Sequence, residues 1–236
     1  VTDTKGITTS MAYDGLGRKI GMRDPDLGTW SYEYDNAGNV TRQVDAAGEC
    51  ICFGYDIHNR LIRKDYGCDR NPETGANVEV TYRYDGTDLV GEIGRLTTMT
   101  DPSGTTDWRY DLRGRVLTET KSIADAGTFT TSWTYNPRDE VVTQTYPDGE
   151  VVKTSYGKWG QPNTLTSLSS GATCVSRALP DQAGRIDILK LGAAPTLQVD
   201  SVYNPWTTQG GRLQSILAGP PGSAASLRSL QDLTYT

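Results

Sequence analysis

The sequence holds 1 histidine, 2 phenylalanines, 3 methionines and 4 cysteines in 236 residues. Each shortage closes a class of function. A single imidazole, His58, cannot build a histidine-rich metal centre, and no Cys-x-x-Cys pair stands in for it. A serine–histidine–aspartate set would have to use His58, and no Gly-x-Ser-x-Gly, phosphate loop or His-Glu-x-x-His pattern accompanies it. His58 lies between Tyr55 and Asn59, where comparable stretches carry Leu16, Ala37 and Arg113, so it reads as an exposed turn residue. No apolar run approaches the ~18 residues that a membrane helix needs. Excess positive charge is missing too: the net charge of −6 leaves no nucleic-acid footprint. Apolar residues make up 36%, with mean hydropathy −0.52, which is lean for a sandwich with a dry core. Calcium loops of the EF-hand or Gly-Gly-x-Gly-x-Asp kind are absent, so the many turn aspartates are expected to bond their own backbone. These readings predict no enzyme, no cofactor and no metal.

What the chain has is tyrosine (13) and glycine (26), in a repeating order. Tyr13-Asp14-Gly15-Leu16-Gly17-Arg18 recurs as Tyr34-Asp35-Asn36-Ala37-Gly38-Asn39, Tyr55-Asp56-Ile57-His58-Asn59-Arg60 and Tyr110-Asp111-Leu112-Arg113-Gly114-Arg115. Degenerate copies start at Tyr84, Tyr135, Tyr156, Pro180 and Tyr203. The spacing of roughly 21–29 residues means one small unit used repeatedly. Four positions after each Tyr stands Gly17, Gly38, Asn59 or Gly114, residue types that tolerate positive φ, so a tight reversal falls at a fixed offset. Before each reversal the residues alternate, as in Trp30, Tyr32 and Tyr34, or Ile51, Phe53 and Tyr55, the period of a half-buried strand. A second turn closes many units, for example Asp24-Pro25-Asp26-Leu27-Gly28 and Asp101-Pro102-Ser103-Gly104. The predicted fold is all-β, a run of antiparallel hairpins with roughly 16–20 short strands and no helix beyond about two turns. The tyrosine bias suits a thin sheet whose face is partly wet, with each hydroxyl finding water or a neighbour.

The pattern aromatic-x-Tyr-Asp-x-x-Gly-Arg-Leu, repeated in register from about Thr8 to Thr236, resembles the YD-repeat or RHS (rearrangement hotspot) family. That family includes the B and C components of Tc toxins, polymorphic toxins of bacteria, and teneurins. The resemblance implies a curved, spiralling sheet that forms part of a hollow shell, with Tyr13, Asp14, Gly17, Tyr34, Asp35, Gly38, Tyr55, Asp56, Asn59, Tyr110, Asp111 and Gly114 as structural turn residues. It implies a shell segment that encapsulates a toxin polypeptide, secreted by or displayed on a bacterium. Its partners would be the remaining repeats and the cargo, with neither nucleic acid nor a transmembrane span. The alternative is cell-surface adhesion or carbohydrate binding through Trp30, Trp108, Trp133, Trp159 and Trp206, although most of these fall on the tyrosine stripe. Some members cleave themselves at an Asp-Pro-x-Gly-Leu site. Asp101-Pro102-Ser103-Gly104-Thr105 lacks the Leu and occupies an ordinary turn, so that role is not carried over.

Residues 1–236 are expected to form one array, partial at both ends, because Leu233-Thr234-Tyr235-Thr236 matches the strand before a Tyr-Asp pair. Its outermost strands would then associate edge to edge. Cys50 and Cys52 share one strand face and cannot easily bridge each other. Unbridged packing is the expectation for all four cysteines, with a bridge from Cys50 or Cys52 to Cys68 left open. The array is least regular at 67–75, after Tyr84, between Tyr203 and Leu213, and at 218–225, which are candidate contact loops.

Overall fold

The computed structural model describes residues 1–68, 79–86, 90–193, 197–221 and 231–234. Residues 69–75 and 222–225 of the irregular stretches, and the terminal pair Tyr235 and Thr236, lie outside the described residues. The chain divides into two compact units, Val1–Phe129 and Thr130–Thr236.

The first unit is a meander of β1 (Ser10–Tyr13), β2 (Lys19–Asp24), β3 (Gly28–Tyr34), β4 (Val40–Val44), β5 (Cys50–Tyr55), β6 (Leu61–Tyr66), β7 (Glu79–Tyr84), β8 (Leu96–Asp101), β9 (Gly104–Tyr110) and β10 (Val116–Ile123). Each strand pairs antiparallel with the next. A single 3-10 turn, Val90–Glu92, precedes β8. The second unit continues from β11 (Gly127–Tyr135, which carries the division between the units) through β12 (Val141–Thr145), β13 (Val151–Tyr156), β14 (Pro162–Ser167), β15 (Thr173–Pro180), β16 (Ile186–Leu191), β17 (Leu197–Tyr203), β18 (Leu213–Gly219) and β19 (Gln231–Thr234). These also pair in sequence, all antiparallel. The described helix α1, Trp206–Gln209, is a single turn.

The alternation seen in the sequence becomes a two-sided sheet. In β3, Trp30, Tyr32 and Tyr34 are half-buried while Thr29, Ser31 and Glu33 are exposed. Rows run across strands on that face: Tyr32 faces Gln43, Gln43 faces Ile51, and Ile51 faces Tyr66. Cross-strand contact of this kind stabilises a sheet without a second layer. Among the described residues the buried hydrophobic side chains are only Ala178, Leu217 and Ala218. Stability therefore comes from neighbour-to-neighbour contact within the sheet. A far-ultraviolet circular-dichroism spectrum should show a β signature with negligible helix, and a helical double minimum would contradict the fold.

The pairing registers hold a feature that alternation alone does not reveal. The register slips by one residue beside Tyr13, Tyr34, Tyr55, Tyr84, Tyr135, Tyr156 and Tyr203. A β-bulge bends its strand and re-aims a side chain. Here it recurs at the repeat tyrosine, with consequences for where that ring points.

Candidate functional site

The repeat turn is where the sequence concentrates its signature, and its chemistry is architectural. Asp14 N–H donates to the Arg18 carbonyl (2.9 Å), and Gly17 N–H donates back to the Asp14 carbonyl (3.0 Å). The same pair of bonds closes Asp35–Asn39, Asp56–Arg60, Asp111–Arg115 and Asp181–Arg185. This is a type I turn followed by a left-handed residue, a common hairpin loop of three residues. The left-handed position is Gly17 (φ 78°), Gly38 (φ 90°), Asn59 (φ 60°) or Gly114 (φ 82°).

The aspartate locks the loop from inside. Asp56 Oδ1 accepts the backbone N–H of His58 (2.8 Å) and of Arg60 (2.9 Å), while Oδ2 takes Arg60 Nε (2.7 Å). Asp14 does the same with Leu16 and Arg18, and Asp111 with Arg113 and Arg115. Asp35 accepts Asn39 through both oxygens, at 2.8 and 2.9 Å. These donors favour the charged carboxylate. The Arg18 and Arg60 backbone N–H groups hold Asp14 and Asp56 below the ordinary carboxylate value, and the Asn39 side chain does so for Asp35. Burial pushes the Asp111 carboxyl up, but bonds from Arg115 and Arg113 outweigh it.

Two contacts then leave the turn for the next repeat. The first runs from the tyrosine, at the end of one strand, to the backbone carbonyl at the start of its neighbour. Tyr34 Oη donates to Lys19 O (2.7 Å), Tyr55 to Val40 O (2.9 Å), Tyr84 to Leu61 O (3.0 Å) and Tyr110 to Leu96 O (2.7 Å). In the second unit Tyr156 reaches Val141 O (2.7 Å) and Tyr203 reaches Ile186 O (3.1 Å). The second contact runs from the arginine. Arg18 lies 4.9 Å over the Tyr34 ring and donates to Asp35 O at 2.9 Å. Arg60 lies 4.5 Å over Tyr84 and pairs with Asp85 Oδ2 at 2.6 Å. Arg185 lies 3.8 Å over Tyr203. Tyr13 stands apart: it is 56% exposed, and its hydroxyl meets Met11 Sδ.

The irregular turn after Tyr84 keeps this plan with different parts. Asp85 itself is left-handed (φ 61°) and accepts Gly94 N–H at 2.6 Å. The Arg60 side chain and then the Gly94 N–H hold its carboxyl down to about 2. Glu92 is fully buried and paired with Arg109 at 3.2 Å, a site that no sequence signal marks. His58 is exposed at its turn tip. Trp30, Trp108 and Trp133 are half-buried in strands, whereas Trp159 (83% exposed) stands on a turn and Trp206 (63%) on α1. The cysteines need a correction: Cys52 and Cys68 form a disulfide, with Cα atoms 5.1 Å apart, while Cys50 and Cys174 are free. Gly67 (φ 104°) and Cys68 (φ 51°) both adopt positive φ, which turns the chain back toward β5, and ladder counting cannot foresee that.

A model of the RHS Repeat matches residues 92–122, from the buried Glu92 through the Asp111–Arg115 turn into β10. The fold is shared with much larger proteins. The crystal structure of TcdB2-TccC3 is 19% identical with a TM-score of 0.78. TcdB2-TccC3 without its hypervariable C-terminal region gives 20% and 0.77, and a mutant Tc holotoxin pore of Photorhabdus luminescens gives 21% and 0.76. Each match covers 99% of this chain but 12% of the other, so the chain spans about an eighth of those structures. No curated protein sequence matches it.

The turn chemistry fixes a pH response. Carboxyls with depressed folded pKa values stabilise the fold above their unfolded value near ~4 and lose that contribution as pH falls through the folded value. The melting temperature should therefore drop as pH is lowered from about 4 toward 2, the lower end being set by Asp85 at about 2. Burial raises the Tyr55, Tyr84, Tyr110 and Tyr156 phenols. Their contribution is complete below ~10 and is lost as pH rises through the raised folded values. Thermal melts across pH check both limbs, and a melting temperature unchanged down to pH ~2 would refute the carboxylate locks.

Proposed function

We propose that this chain is a length of wall in an RHS-type toxin shell that encloses a polypeptide. The observation that carries the reading is the near absence of buried hydrophobic side chains among the described residues, in a sheet held repeat to repeat by Tyr–carbonyl and Arg–Tyr contacts. A sheet with so few buried apolar side chains among its described residues can serve as a wall between two compartments. The Tc proteins that share the fold support the shell assignment. The role is structural, the partners are further repeats and the enclosed polypeptide, and the setting is a secreted or surface-displayed bacterial toxin. Limited proteolysis of the full-length protein containing this segment tests it. The enclosed polypeptide should survive about tenfold longer than the same polypeptide made alone, because cleavage follows the population of opened forms. Equal digestion would overturn the reading.

A second reading, carbohydrate-binding adhesion, rests on Trp159, whose exposed ring borders Gln161, Gln182 and Asp181. It requires that glycan binding be present and vanish in Trp159→Ala.

A further inference from the structure

Two cysteines of one strand face and a third bonded to one of them come together in the first unit. Cys50 and Cys52 stand two apart on β5, opposite Val44 and Arg42 of β4. That separation is about 7 Å along an extended strand. Cys68 is bonded to Cys52, and the residue before it, Gly67, donates its N–H to the Cys50 carbonyl at 2.8 Å. The bridged sulfur of Cys68 is thus tied beside a strand that carries a second, free thiol.

Arg42, bonded to Glu33 at 3.1 Å, stands opposite Cys52 in the ladder. The thiolate is the attacking form of cysteine in an exchange between a free thiol and a bridge. On the other side of β5, Asp65 pairs with Cys52 in the ladder and is 2% exposed. Its Oδ2 accepts Arg63 at 2.9 Å, while its Oδ1 has no hydrogen-bond donor among the described residues. A buried acceptor without a donor is costly. With Cys52 in the bridge there is no S–H at that position. Once released, Cys52 would present one next to the orphaned oxygen.

We propose that Cys50, Cys52 and Cys68 form a thiol–disulfide exchange site, in which the bridge to Cys68 moves between Cys52 and Cys50. The Cys50 thiolate attacks Cys68 Sγ, the Sγ–Sγ bond to Cys52 breaks, and Cys52 departs with the electron pair. Cys52 then takes up the proton that Cys50 gave to solvent. One disulfide and one thiol are present before and after, so no oxidant or reductant is consumed. The effect is to shift the anchor of Cys68 by about 7 Å along β5. The inference stands independently of the shell assignment.

Slow alkylation of the native, non-reduced protein with iodoacetamide at about pH 8 traps whichever thiol is free. Fragment-ion mapping should find the label on Cys52 as well as on Cys50, and the Cys52 label should vanish in Cys50→Ser. Label on Cys50 and Cys174 with none on Cys52 in the wild type overturns the proposal. A second measurement uses Cys52→Ser treated with oxidised glutathione and then freed of it. Bridging of Cys50 to Cys68 leaves Cys174 as the one titratable thiol, whereas a folded variant that resists bridging shows free or glutathionylated Cys50 and Cys68. That second pattern also counts against the proposal.

Discussion

Gly114→Val is expected to destabilise the protein by about 3 kcal/mol, and Gly38→Val by roughly half as much. Both glycines hold the left-handed position of a repeat turn, at φ 82° and 90°. A β-branched residue is strained there whatever surrounds it. The difference lies in the neighbours. Around Gly38 an added Cβ meets nothing within 4 Å, but at Gly114 it would fall 1.9 Å from the Arg95 Nη2 atom. Arg95 is anchored: it donates to Gly91 O at 2.8 Å and lies 5.8 Å over the Tyr110 ring. Valine at 114 would therefore strain its own turn and expel the cation that ties this turn to the preceding one. Denaturant melts of the two variants side by side decide the matter. Equal losses would mean that the Arg95 contact contributes nothing.

Glu92→Ala should cost about 3 kcal/mol and Glu92→Gln about half of that. The carboxylate is 0% exposed and bonds Arg109 through both oxygens, at 3.2 and 3.3 Å. It also fills the space over Gly86, where an added Cβ would sit 1.6 Å from its Oε2. Alanine removes both the volume and the bonds, whereas glutamine keeps the volume and one set of contacts. Arg109 is 48% exposed and can turn to water, so the penalty arises from the vacated space more than from an abandoned cation. Chemical denaturation of the two variants separates these terms. A stabilised Glu92→Gln would show that the charge is a burden.

The features legible in the sequence were those that depend on short separations. Alternation along β3 and the Asp–Gly spacing of Asp35 and Gly38 act over a few residues, so their geometry follows from the local order of residue types. The aspartate locks follow for the same reason, since the Asp56 carboxylate bonds to His58 and Arg60 within its own turn. The contacts between repeats were not legible. Arg60 reaches Asp85 across 25 positions, and whether it meets Tyr84 or water depends on a register that slips beside Tyr84. The turn arginines thus make a contact to the next tyrosine, beyond the ion pair in their own turn, that no short-range spacing marks. Glu92 looked like any acid in a loop, because burial of a charge has no local signature. The Cys52–Cys68 bridge was one of two open pairings, and the choice rests on backbone torsions at Gly67 and Cys68.

The tyrosine contact has a bearing on how such a chain changes over time. Its acceptor is always a main-chain oxygen, contributed by residues as unlike as Lys19, Val40, Leu61, Leu96, Val141 and Ile186. A peptide carbonyl is supplied by any amino acid, so replacing the residue at that position leaves the acceptor intact. Half of each link is thus immune to substitution, and only the phenol must be kept. Drift at the acceptor side is silent with respect to the link itself.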